Sequence, residues 1–132
     1  MVAAGGDGTM VQRVLVVDDE PDVAFLCRVN LEMEGYEVLT ADDGQTAVEV
    51  VGAEHPDAVL LDIMLPRLDG WSVLSAIRAD PSTAEIPVVI MSAKPREGRS
   101  LEGAMEYIEK PFSRDQLVRA VRGAVTGDAS ET

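Results

Sequence analysis

Asp18, Asp19 and Glu20 follow directly on the apolar run Val14 to Val17, and Asp62 closes a second run, Ala58 to Leu61. Two unit charges about 4 Å apart repel by roughly 4 kcal/mol at an intermediate dielectric, so carboxylates gathered at the ends of buried strands need compensation. Three convergent carboxylates with room for water make a hard, oxygen-rich site. Magnesium suits it, because that ion needs few protein ligands and keeps several waters. Lys110 adds a mobile ammonium and Ser92 a hydroxyl that can donate a hydrogen bond. Anionic oxygens facing a metal, an ammonium and a hydroxyl describe a site able to receive a phosphoryl group on a carboxylate nucleophile.

The elements that must carry these groups alternate along the chain. The pattern predicts strands over about 13 to 17, 37 to 40, 58 to 61, 87 to 91 and 105 to 108. Helical patterns lie between them, over about 22 to 34, 45 to 53 and 71 to 79, and a last helix runs from a Ser113 cap to about Val125. In the first helix, Val23, Leu26, Cys27 and Leu31 share a predicted inward face. The continuous apolar character of the third strand suits a position covered on both sides. Alternation of this kind predicts a doubly wound α/β fold with right-handed crossovers. In such a sheet ligands sit outside the carboxyl ends of the strands, where Asp18, Asp19, Asp62, Ser92 and Lys110 fall.

Composition narrows the function further. The 132 residues suit one domain, with 11 Lys and Arg against 24 Asp and Glu and a formal net charge of -13. That balance argues against direct nucleic-acid binding. No apolar run reaches the roughly 20 residues of a membrane span, the start lacks signal-peptide features, and the single Cys27 forms no internal disulfide. A cytoplasmic protein is expected, with Cys27 as a small core residue. Residues 1–10 read as a flexible tail, 11–125 as the domain and 126–132 as a second tail. His55 beside Pro56 reads as an exposed loop residue, Trp71 as an anchor of the third helix, and Glu20 and Asp22 as helix-start acids.

Four stretches, VLVVDDEP (14 to 21), VLLDIMLPRLDG (59 to 70), VVIMSAK (88 to 94) and YIEKPF (107 to 112), occur in order at predicted strand ends. Together they resemble the receiver domain of two-component response regulators over about residues 12 to 125. The resemblance implies a flavodoxin-like (βα)5 fold with a five-stranded parallel sheet in the order 2-1-3-4-5. It makes Asp62 the acceptor of a phosphoryl group from a phosphohistidine of a sensor histidine kinase or phosphotransfer protein. It further implies magnesium held by Asp19, Asp62 and the backbone carbonyl of Met64, with Asp18 acting through a bound water. Lys110 would pair with Asp62 and then with the phosphoryl oxygens, Ser92 would move toward that group, and Tyr107 would follow as the switch aromatic. The Lys110-Pro111 peptide is often cis in the family. A regulatory module of bacterial signalling follows, with only self-directed phosphotransfer and autodephosphorylation, a downstream protein target, and a monomeric or weakly dimeric state.

The pattern also departs from the family. Ser92 and Lys110 are 18 positions apart, about four fewer than usual, which is roughly one helical turn. With Pro95 and Gly98 in the same segment, a shortened fourth helix is expected. Met64 puts an apolar side chain two positions beyond the acceptor, where it can shield an acyl phosphate from water. Lys94 reads as a solvated loop lysine. A second reading is a degenerate receiver that serves as a phosphorylation-independent scaffold. An aspartyl-phosphate phosphatase is disfavoured, since neither the Asp18-Asp19 pair nor Asp62-Ile63-Met64 gives an Asp-x-Asp motif, and DDEP would repel a flavin phosphate.

Overall fold

The computed structural model describes residues 11–95 and 103–127. Strands β1 (Arg13–Val17), β2 (Glu37–Ala41), β3 (Ala58–Asp62), β4 (Val88–Ser92) and β5 (Glu106–Glu109) form one sheet. Helix α1 (Pro21–Met33) follows β1, α2 (Gly44–Glu54) follows β2, α3 (Gly70–Ala79) follows β3, and α4 (Arg114–Thr126) follows β5. All neighbouring strands are parallel, in the order β2-β1-β3-β4-β5, which is the expected doubly wound arrangement. The segment on which a shortened fourth helix is expected falls largely on 96–102, outside the described residues. Among the described residues no helix is long and apolar enough to cross a membrane.

Alternation along the central strands separates two cores. Val14, Val16, Leu60 and Met91 pack with Cys27, Leu31, Leu117 and Val121 under α1 and α4. Leu15, Val17, Leu61 and Ile90 pack with Val51, Val73 and Ile77 under α2 and α3. Both β3 and β4 are buried along their whole length, as continuous apolar runs in a covered parallel sheet require.

Local chemistry sets the helix ends. Asp43 accepts the Thr46 N–H at 2.8 Å to cap α2, Asp69 accepts the Ser72 N–H at 3.0 Å to cap α3, and Ser113 and Gln116 form a reciprocal capping box on α4. Gly35, at φ +97°, ends α1 with paired bonds from Gly35 N–H to the Glu32 carbonyl and from Tyr36 N–H to the Leu31 carbonyl. Helix α4 reaches Thr126, one position beyond the expected domain end, and closes on Gly127 at φ +80°.

One face expectation is corrected. Cys27 and Leu31 are buried and Val23 is half-buried, but Leu26 is 59% exposed, beside Phe25 at 62%. Successive helical residues turn by about 100°, so with Cys27 and Leu31 directed at the sheet, Leu26 points sideways and lines a groove with Phe112 and Leu117.

At the far end of the sheet, Arg78 closes α3 against three carbonyls. Its Nη1 donates to Ala84 and Ile86 at 2.9 and 2.7 Å, and its Nε and Nη2 donate to Gly103 at 3.2 and 2.8 Å. Partial burial lowers its pKa, opposed by the nearby Glu85 charge.

Candidate functional site

Register brings the polar groups together. Val17 pairs with Leu61 and Asp62 with Met91, so Asp18, the residue after β1, stands level with the last residue of β3. Ser92 pairs with Glu109, and the Lys110 N–H donates to the Ser92 carbonyl at 2.8 Å. The Lys110-Pro111 peptide is cis. One edge of the sheet thus carries Asp18, Asp62, Ser92 and Lys110.

Gly70 allows the loop after β3 to fold back on the end of that strand. A Cβ there would lie 2.4 Å from Ile63 Cα and 2.6 Å from the Asp62 carbonyl oxygen, and the Gly70 N–H donates to the Ile63 carbonyl at 3.0 Å. No side chain fits that approach. Asp62 Oδ1 accepts the Met64 N–H at 2.9 Å, which turns its carboxylate toward the edge.

The Lys110 ammonium is the centre of the cluster. Its Nζ donates to Asp18 Oδ2 at 2.8 Å, to Glu20 Oε1 at 3.1 Å and to Asp62 Oδ2 at 3.1 Å. Asp18 and Asp62 are buried, whereas the Glu20 side chain is 62% exposed. Burial pushes the Asp18 carboxyl above its usual range, against the opposing hydrogen bond from Lys110. Burial alone would lower the Lys110 pKa, but its bonds to Asp18, Glu20 and Asp62 outweigh that effect and raise it. The result is an ammonium kept charged among carboxylates, one of which is held at a desolvation cost.

Carboxylate oxygens of Asp18, Glu20 and Asp62 all lie within 4.8 Å of one another. Hard oxygen donors so arranged fit a hard divalent cation. Asp19, in contrast, is exposed and lines a neighbouring cleft of about 460 Å³ with Asp18, Phe25 and Asp42. The sequence reading of Glu20 as a helix-start acid does not anticipate its bond to Lys110. Glu20 does stand at the N-cap of α1, yet its side chain makes no capping bond. The signal lay in its place two residues after Asp18, whose Oδ1 accepts the Glu20 N–H at 2.8 Å.

Ser92 is fully buried and its hydroxyl accepts the Lys94 N–H at 3.1 Å. Tyr107 is half-buried, and its hydroxyl donates to the Lys94 carbonyl at 2.7 Å. The backbone of one loop residue therefore links both. The Lys94 and Met64 side chains are exposed, as is His55, whose left-handed φ of +48° ends α2. Trp71 is half-buried against the α2/α3 core.

Comparison with known proteins agrees with this geometry. A putative response regulator from Chloroflexus aurantiacus is 30% identical, with 89% of this chain and 99% of that one covered and a TM-score of 0.83. The receiver domain of a Pseudomonas aeruginosa sensor histidine kinase, which has magnesium coordinated in its active-site cleft, is 30% identical over 89% of this chain and 99% of that one, with a TM-score of 0.81. NtrX from Brucella abortus is 35% identical over 90% of this chain, which spans only 28% of that protein, with a TM-score of 0.81. The response regulator receiver domain family matches residues 14–122, and the chain belongs to that family.

Proposed function

We propose that Asp62 is the phosphoacceptor of a two-component phosphorelay. The observation that carries this reading is the buried Asp62 carboxylate held 3.1 Å from the Lys110 ammonium at the strand-end edge. Asp62 attacks the phosphorus of a phosphohistidine on a sensor histidine kinase or phosphotransfer protein. An O–P bond forms as the N–P bond breaks, and the departing imidazole keeps the electron pair. Such transfer relies on positioning and charge stabilisation. Lys110 supplies a fixed positive partner for the phosphoryl oxygens, and the buried setting strengthens that attraction.

The oxygen-only donor set fits magnesium. Asp19, Asp62 and the Met64 carbonyl would hold it, with Asp18 acting through water, and a cation there would supply charge neutralisation for the transferring group. Asp18 and Asp62 carry oxygens within 4.8 Å of each other, and exposed Asp19 would have to turn from its neighbouring cleft to join them. Ser92 then releases the Lys94 N–H and donates its hydroxyl to the phosphoryl group, and Tyr107 adjusts through the shared Lys94 backbone. A local charge event becomes a surface change in this way.

The output is a downstream protein contact rather than nucleic acid, from a cytoplasmic monomer or weak dimer, and the only chemistry is self-directed phosphotransfer and autodephosphorylation. The test is intact mass after incubation with magnesium and acetyl phosphate. A gain of one phosphoryl group, lost without magnesium or in Asp62→Ala, is expected. No gain in a folded, magnesium-binding protein that also fails to bind beryllofluoride overturns the reading and leaves a phosphorylation-independent scaffold.

A further inference from the structure

We propose that Glu20 is a positioning residue whose carboxylate keeps the Lys110 ammonium in the site when Asp18 and Asp62 turn their oxygens to a divalent cation. The inference rests on the metal-dependent acceptor reading above.

Lys110 has three ammonium protons and three carboxylate partners, at 2.8, 3.1 and 3.1 Å. Two of these partners, Asp18 and Asp62, have side chains 0% and 5% exposed and face the point a cation must occupy. An ammonium and a dication drawn to the same two carboxylates repel one another. Without another anchor, metal binding would drive the lysine outward, at the stage when the phosphoryl group needs it. Glu20 stands at the open side of the cluster, its side chain 62% exposed, so its charge stays available to the ammonium.

The local backbone favours this role. A carboxylate at the start of a helix ordinarily turns to the free N–H groups there. Glu20 does not, since its side chain makes no capping bond. Its own N–H is fixed to Asp18 Oδ1 at 2.8 Å, and Pro21 sets the following φ. The residue is held beside Asp18 while its side chain extends to Lys110.

The chain has two lysines, Lys94 and Lys110, so lysine labelled with nitrogen-15 gives two ammonium signals, with exposed Lys94 as the internal reference. Hydrogen exchange at the Lys110 ammonium is measured with and without saturating magnesium. With the ion bound, Glu20→Gln should speed exchange about tenfold, the loss expected for one charge-assisted hydrogen bond. Without the ion, where Asp18 and Asp62 still hold the ammonium, the change should stay below about twofold. Glu20→Asp, which keeps the charge but shortens the reach, should behave like Glu20→Gln.

Unchanged exchange in the magnesium-bound variant overturns the proposal, as does equal acceleration in both states. A third result also overturns it: an equal loss of magnesium affinity from Glu20→Gln in the unaltered and Lys110→Met backgrounds would make Glu20 a ligand of the ion. Calorimetric titration of the unaltered chain separates the two readings, because an absence of magnesium binding overturns the metal-dependent site and this proposal with it.

Discussion

The Lys110 ammonium lies closer to Asp18, at 2.8 Å, than to Asp62, at 3.1 Å. The lysine therefore bridges two strand ends before any reaction, and it is the only cation that the described residues place among the three carboxylates. Lys110→Met removes that charge and leaves Asp18 and Asp62 buried together. Loss of one partner from a buried pair costs about 3 kcal/mol. Urea denaturation in chelator should show a destabilisation of that order, and added magnesium should restore more stability to the variant than it adds to the unaltered chain. Equal stability of the two proteins in chelator would show that the ammonium does not hold the cluster.

Cys27 gives a pH test on a group that is not itself one of the site carboxylates. Burial, reinforced by the Asp18 charge and opposed by Lys110, pushes its thiol from 9.0 up to about 12. The folded state keeps the thiol proton that the unfolded chain loses, so this contribution is present below pH 9.0 and is lost as pH rises toward 12. Each unit of that window is worth about 1.4 kcal/mol. Cys27→Ala should flatten the alkaline loss of stability in denaturation curves, and the native thiol should resist alkylation at neutral pH. Rapid labelling of the folded chain would contradict the burial that raises the thiol.

Two helical glycines should respond oppositely, Gly70 at the start of α3 and Gly52 near the end of α2. Gly70→Ala forces a Cβ against Ile63 Cα and the Asp62 carbonyl, an overpacking that costs about 1 to 3 kcal/mol. It should also slow phosphorylation, because the displaced backbone belongs to Asp62, the proposed acceptor. Gly52, exposed within α2, has nothing within 4 Å of a built Cβ. Gly52→Ala should raise stability by about 0.8 kcal/mol through helix propensity and leave acceptor chemistry unchanged. Thermal melts and mass-detected phosphorylation of both variants check the contrast.

If Asp62 takes a phosphoryl group as proposed, Met64 is expected to lengthen the lifetime of that state. Its N–H anchors Asp62 Oδ1 at 2.9 Å, and its apolar side chain, two positions beyond the proposed acceptor, is 51% exposed. Met64→Asn keeps the backbone bond but replaces an apolar cover with a group that orders water. Phosphoryl loss, followed by intact mass after removal of the donor, should be several times faster. An unchanged decay would show that the methionine does not cover the phosphoryl group.

Much of this arrangement is legible in the sequence because short-range chemistry and topology agree. Apolar runs ending in Asp18, Asp62 and Ser92 predict both a covered parallel sheet and the edge on which polar groups meet. Ser113 announces a helix start by a side chain that satisfies a nearby N–H group, as Asp43 and Asp69 do in the structure without being read as caps in the sequence. What escapes depends on tertiary reach. Leu26 has the composition of a core residue, but the rotation of α1 is settled by Cys27 and Leu31 meeting the sheet. Glu20 has the local character of a helix-start acid, and only the approach of Lys110, 90 positions away, draws its side chain elsewhere. The Arg78 bonds to three carbonyls have no sequence signature, since any backbone can accept them.

Those carbonyl bonds give the sheet a mechanical polarity. Arg78 ties the end of α3 to Ala84 and Ile86, just before β4, and to Gly103, before β5. Its partners are uncharged oxygens, so neither a bound ion nor a change in carboxylate ionisation removes them. At the opposite rim, β5 leads into Lys110, whose ammonium bonds run to the Asp18, Glu20 and Asp62 carboxylates, groups that a bound cation would compete for. The two strands are thus tied through neutral oxygens at one end and lead toward a charge-dependent cluster at the other, like reeds fixed at the base.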